Sequence, residues 1–290
     1  MFNGVFTALI TPFKDNQIDE QSFRSFIDFQ INEGIHGVVP VGTTGESPTL
    51  SHDEHKNAVE ICIDQVSKRV PVIAGTGSNN TEEAIDLTIH AQEAGADAAL
   101  VVTPYYNKPT QDGMYAHYEA ISKASKIPII IYNIPGRSVI DMNNETMLKL
   151  FKLENIVGVK DATSNIPRVY DAKTNIGSNF NLLTGDDATT LAFMLYGGHG
   201  AISVTSNIAP KLCSSFMNNC MQNNYEEASR INDILMPLHS ALFIESSPGP
   251  VKYAASKLNL CEDEVRLPLI NISEETKAIV DKALKHASLL

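Results

Sequence analysis

The chain has 290 residues, 43% of them hydrophobic and 19% charged, with a formal net charge of −12. That length supports one large core with a small addition. The acidic balance argues against a nucleic-acid partner or an anionic membrane surface, and an anionic substrate would need a pocket with its own cations and amide donors.

The N-terminal segment MFNGVFTALITPFKDN carries a short apolar run without a basic leader or a small-residue cleavage signal, and reads as a first strand. No stretch approaches the roughly 18 apolar residues of a membrane span. Further short apolar runs follow at residues 37–41, 70–74, 98–102, 128–132, 156–160, 181–184 and 200–204, which with 5–10 makes eight. Most are spaced by about 25 to 30 residues, the size of a βαβ repeat. Continuous apolar runs are expected where both faces of a parallel strand are covered.

Helical patterns fill the gaps. Residues 20–33 place Phe23, Phe26, Ile27 and Ile31 on one face. Ser51-His52-Asp53-Glu54 is a capping-box pattern ahead of Ala58, Val59 and Cys62. Residues 81–94 form another helix, and 188–196 can hold a compact one. After about Ile208 the strand pattern stops, and 211–221, 224–235, 250–258 and 273–284 read as helices, with the Pro-rich 245–250 as a rigid connection. The expected fold is therefore α/β, a (β/α)8 TIM barrel over 1–220 followed by a C-terminal helical region over 221–290. A doubly wound open sheet is the alternative.

In a parallel barrel the chemistry sits where strands end. Lys160 ends the run Ile156-Val157-Gly158-Val159, and a desolvated amine there can shed its proton and attack a carbonyl carbon. The second strand runs into Gly42-Thr43-Thr44-Gly45-Glu46, where hydroxyls and exposed amides can bind a carboxylate or pass a proton, or simply make a turn. The fourth leads to Tyr105 and Tyr106, and the fifth to Tyr132 and Arg137. A phenol can relay a proton or line a rim. A guanidinium can fork onto a carboxylate or make a surface ion pair. His52 and His55 lack a third metal ligand, Gly75-Thr76-Gly77 lacks the rest of a dinucleotide fingerprint, and no phosphate-loop motif occurs. Asp186 and Asp187 after the seventh strand can serve a metal or glycosidase site, or cap the backbone. The four cysteines, Cys62, Cys213, Cys220 and Cys261, are not at Cys-x-x-Cys spacing and read as reduced and structural, which suits a cytoplasmic chain.

The segments GVFTALITPF, GTTGESPTLSHDEH, TPYYNKPTQDG, YNIPGR, GVKDAT, LLTGDD, GAISVTSN and PGPVKYA together resemble the dihydrodipicolinate synthases, in the pyruvate-dependent class I aldolase family that includes N-acetylneuraminate lyase. The similarity runs from Gly4 to about Lys257. It implies a Schiff-base nucleophile at Lys160 and a proton relay of Tyr132, Thr44 and Tyr106, with Tyr106 supplied across a subunit contact. It implies further that Thr43 and Thr44 receive the pyruvate carboxylate, that Arg137 receives the carboxylate of L-aspartate 4-semialdehyde, and that Gly185 and Ile202 line the site. No cofactor or metal is implied. The assembly implied is a homotetramer built as a dimer of dimers. Ser47, His52, His55, Asn79, Glu83 and Tyr105 match a feedback pocket for L-lysine. Arg137 in YNIPGR favours the synthase over a sugar-acid lyase, and a noncatalytic lysine sensor is the remaining alternative. Pro48, Ser138 and Asp161 depart from the residues common in the family, which are alanine, threonine and glutamate respectively.

Overall fold

The computed structural model describes residues 2–177 and 179–290. It contains a parallel eight-stranded sheet with a helix after each strand, the (β/α)8 barrel architecture, and helices at the C-terminus. The strands are β1 (Gly4–Ala8), β2 (Gly37–Val39), β3 (Ile73–Gly75), β4 (Ala98–Val102), β5 (Ile129–Asn133), β6 (Ile156–Asp161), β7 (Asn181–Thr184) and β8 (Gly200–Ser203). All eight fall on runs expected from the sequence. No helix of the described residues is long and apolar enough to cross a membrane, and the four cysteines are free thiols.

The chain divides into two compact units. The first is continuous from Ile73 to Ile202, with Met1–Asn3 added. Within it β3 to β8 pair in sequence order, every pair parallel. Side-chain alternation sorts the strand residues. Ala99, Val101, Ile129, Ile131, Ile156, Val159 and Leu182 pack on a helix-side core with Met114, Tyr118, Ile121, Met147 and Phe193. Tyr132 and Lys160, one step along from Ile131 and Val159, therefore point to the opposite face. A β-bulge between Ile129 and Ile130 sets the register in which Tyr132 stands opposite Lys160 and Asn133 opposite Asp161. Gly158 permits the close approach of β7, since a Cβ there would collide with the Asn181 carbonyl.

The second unit comprises Gly4–Val72 and Ser203–Leu290. β1 and β2 are parallel, with Thr7 opposite Val38. A buried amide network anchors the continuation of β1. The Thr7 hydroxyl donates to Gln30 Oε1 (2.7 Å), Gln30 Nε2 donates to the Asn207 carbonyl (3.0 Å), and Asn207 binds the Ile10 amide and the Ala8 carbonyl. The helix His52–Val66 carries the full Ser51–Glu54 capping box read from the sequence.

Two differences from the sequence reading have local causes. The second strand stops at Val39 rather than at residue 41, because Pro40 has no amide hydrogen to extend a ladder and Val41 turns into the left-handed region at φ 48°. The helix expected over 224–235 runs as Tyr225–Ala241, passing through Pro237. Its later turns are kept helical by burying Leu235, Leu238 and Ala241, an example of packing overriding propensity.

Candidate active site

Lys160 is 7% exposed, at the carboxyl end of β6. Its Nζ lies 4.0 Å from the ring centroid of Tyr132, which is itself buried. The parallel register alone brings these two groups together. Gly185, at the end of β7, is packed against the lysine stem. A Cβ placed there would stand 2.7 Å from Lys160 Cε and 3.0 Å from Ala162 Cβ. The Gly185 amide donates to the Asp161 carbonyl (2.8 Å), so the glycine cannot back away without breaking a bond next to the lysine. Ile202, on β8, is buried.

A polar clamp that the sequence reading did not identify holds the strand ends bearing Tyr132 and Lys160. The Asn133 side chain donates to Asp141 (2.8 Å) and accepts from the Met142 amide (3.0 Å), while the Asn133 carbonyl accepts from Ala162 N (2.9 Å). Arg168 grips both Asp141 oxygens at 2.8 and 3.0 Å, pairs with Asp161 at 3.2 Å, and donates to the Met142 carbonyl (2.7 Å). Asp161 also accepts from the Thr163 amide (2.8 Å). The only sequence signal here was Asp161 itself, in a position where the family usually has glutamate.

Arg137 lies in the single helical turn Pro135–Ser138 and is exposed. Ser138 is buried and closes that turn by donating to the Ile134 and Ile140 carbonyls at 2.9 and 3.0 Å, so the short hydroxyl suits its place. Tyr106 is 88% exposed and has a positive φ of 72°. It stands on the surface of its own chain. Next to it, the Tyr105 carbonyl accepts from Asn79 Nδ2 (3.1 Å), and Asn107 Nδ2 returns a bond to the Asn79 carbonyl (2.9 Å). Glu83 accepts from the Ser78 hydroxyl. Asn79 and Tyr105 of the expected lysine pocket are thus bonded to one another, while Glu83 is held by Ser78, the residue before Asn79.

In the second unit, Thr44 is buried and Thr43 half-buried. They occupy a tight turn in which Gly45 N donates to the Gly42 carbonyl (3.1 Å) and Glu46 N to the Thr43 carbonyl (3.1 Å). Pro48 fits the 3-10 turn Ser47–Thr49 that follows. His55 is buried and His52 exposed, three residues apart on the first turn of their helix. Glu46, which ends the Thr43–Thr44 turn, is bound by Lys252 (2.6 Å) and by the Arg266 amide (3.0 Å), and the sequence reading assigned no role to these three residues.

Residues 1–287 match the model of the Dihydrodipicolinate synthetase family. The chain belongs to that family. It is 57% identical over 289 residues to a 4-hydroxy-tetrahydrodipicolinate synthase of Afipia carboxidovorans, covering 100% of this chain and 98% of the relative. Its fold matches the chloride-inhibited dihydrodipicolinate synthase of Acinetobacter baumannii, solved with pyruvate, at TM-score 0.98 and 43% identity, with both chains covered in full. It also matches the enzyme of Cyanidioschyzon merolae solved with lysine bound, at TM-score 0.96 and 37% identity, covering 100% of this chain and 99% of that one. The chain is accordingly an enzyme, a lyase of lysine biosynthesis by the diaminopimelate route, with 4-hydroxy-tetrahydrodipicolinate synthase activity. The sugar-acid aldolase and lysine-sensor readings give way to it.

Proposed function

We propose that this dihydrodipicolinate synthetase family member carries out its reaction through a Schiff base on Lys160. The observation that carries the reading is the buried Lys160 Nζ at 4.0 Å from the Tyr132 ring, with the lysine stem lying along Gly185. Lys160 attacks the keto carbon of pyruvate and water leaves, giving an iminium. The positive nitrogen takes up the electron pair when a methyl proton is removed, and an enamine results. The enamine carbon bonds to the aldehyde carbon of L-aspartate 4-semialdehyde, whose oxygen becomes the hydroxyl. The substrate amine then adds to the iminium carbon and displaces the lysine, closing the ring of 4-hydroxy-tetrahydrodipicolinate. Tyr132 moves protons at the lysine, with Thr44 and Tyr106 completing the relay. Thr43 and Thr44 bind the pyruvate carboxylate, Arg137 binds that of the semialdehyde, and Gly185 and Ile202 line the site. The residues call on no cofactor.

The exposed Tyr106 at positive φ supports the proposal that a second copy of the chain covers it, in a dimer that pairs again into a tetramer. L-Lysine is proposed as a feedback inhibitor held by Ser47, His52, His55, Asn79, Glu83 and Tyr105, and the hydrogen-bonded Asn79–Tyr105 loop supports a preformed polar pocket. We place the reaction in the cytoplasm, and we take residues 1–220 as the catalytic barrel with 221–290 as its helical addition.

Incubation with pyruvate and borohydride, read by mass, tests the reading. The parent chain gains one reduced pyruvate adduct on Lys160. Lys160→Ala gains none, and normal trapping in that variant would remove Lys160 from its role.

A further inference from the structure

The most deeply buried charges of the second unit meet at Glu46, whose amide closes the Thr43–Thr44 turn on the Thr43 carbonyl. Lys252 and Glu46 have fully buried side chains, and Lys252 Nζ lies 2.6 Å from Glu46 Oε1. The other carboxylate oxygen, Oε2, accepts from the Arg266 backbone amide at 3.0 Å. Lys252 also donates to the Glu264 carbonyl (2.6 Å) and lies 4.0 Å over the Phe13 ring, against which the Arg266 guanidinium packs at 4.3 Å. Arg266 in turn forks onto Glu54 (2.6 and 2.9 Å) and donates to the Thr49 carbonyl (3.1 Å). Burial holds the Lys252 ammonium below its usual range, with Glu46 pulling the other way.

What this cluster holds is a strained piece of backbone. Val41 and Glu46 flank the turn, both in the left-handed region at φ 48° and 55°, a costly conformation for a β-branched residue above all. Gly45 fits tightly, since a Cβ would stand 3.0 Å from Val41 Cα and 3.1 Å from the Leu9 carbonyl, and its own carbonyl accepts from the Thr11 hydroxyl (2.7 Å). A buried ion pair is a poor device for stability alone, because apolar residues of similar volume often serve as well. Its gain is geometric. A carboxylate fixed at both oxygens sets where the residues just before it stand.

We propose that Glu46, held by Lys252 and the Arg266 amide, is a positioning residue that fixes Thr43 and Thr44 for pyruvate, so that Lys252 acts on the reaction without touching substrate. This rests on the assignment of Thr43 and Thr44 proposed above. The test compares the parent with Glu46→Gln/Lys252→Met, which removes both charges at similar volume, and with Glu46→Asp, which keeps the charge but shortens its reach. Thermal melting, pyruvate KM, kcat and borohydride trapping at saturating pyruvate are measured on each. The double variant melts close to the parent and still traps pyruvate, but its KM for pyruvate rises about tenfold or more. If the double variant does not fold, Glu46→Asp carries the test with the same KM-weighted defect. Unchanged KM in the folded variants, or activity that falls only with the folded fraction, overturns the proposal while leaving Lys160 in place. Absence of trapping in the parent overturns the site reading and this inference with it.

Discussion

Gly185 and Lys160 are in contact so close that the glycine cannot acquire a side chain without moving the lysine stem, since its Cβ would fall 2.7 Å from Lys160 Cε. Gly185→Ala is therefore expected to push the amine off its place above Tyr132 while leaving the helix-side core untouched. The rate of pyruvate trapping should fall by about a hundredfold, the scale on which a 1 Å misplacement acts. The melting temperature should change little. Stopped-flow trapping on a variant that melts like the parent checks this, and an unaltered rate would mean that the stem has room the packing does not show.

Arg137 is exposed and sits on a turn closed by the buried Ser138. A guanidinium so placed can fork onto a carboxylate at little cost to its own chain. Arg137→Ala should lower kcat/KM for the semialdehyde by about thirtyfold, corresponding to a charged hydrogen-bond pair of about 2 kcal/mol. Pyruvate trapping should be unaffected. Equal loss in both assays would contradict this division of labour.

Burial lowers the His117 pKa to about 4, and its Nδ1 lies 3.0 Å from the Thr81 hydroxyl. The neutral ring is the form that the fold accommodates. As pH falls below the ordinary value of 6.5, the unfolded chain takes up a proton at this position that the folded chain refuses until about pH 4. Stability then drops between those limits, by at most about 1.4 kcal/mol per pH unit for one proton. His117→Gln should flatten that part of the curve relative to the parent, as read by urea unfolding at pH 4.5, 5.5 and 6.5. Parallel curves for the two proteins would exclude His117 as the group responsible.

The strand order and the rim position of Lys160 were legible because both are written locally, as apolar runs at a regular spacing with a charge at the end of one. The same holds for the Ser51–Glu54 capping box, whose partners are three residues apart. The register that sets Tyr132 beside Lys160 was not legible, because a single bulge near Ile129 decides it. Lys252 was equally hidden. In the helix Gly249–Lys257 it reads as one more charged residue, and its burial depends on Glu46, some 200 positions earlier in the chain. The place of Tyr106 after the fourth strand marked it only as a phenol that can relay a proton or line a rim, and its supply across a subunit contact came from the TPYYNKPTQDG resemblance alone.

Arg168 illustrates how far such long-range convergence supports the site. It is 15% exposed and joins Asp141, Asp161 and the Met142 carbonyl, while Asp141 also holds Asn133. Asn133 and Asp161 are register partners, immediately after Tyr132 and Lys160. The clamp thus ties together the ends of the two strands that present Tyr132 and Lys160. Arg168→Ala leaves two carboxylates facing one another without a cation, and should cost about 2 to 3 kcal/mol of stability, somewhat less than breaking a fully buried pair. It should also slow trapping at temperatures where the variant is still folded, because the Tyr132–Lys160 spacing loses its brace. Arg168→Lys should recover part of the stability but less of the rate, since a point charge cannot reproduce the planar fork across both aspartates. Urea unfolding paired with single-turnover trapping separates the two effects. A variant that loses stability yet traps pyruvate at the parent rate would show that the clamp holds the loops and not the amine.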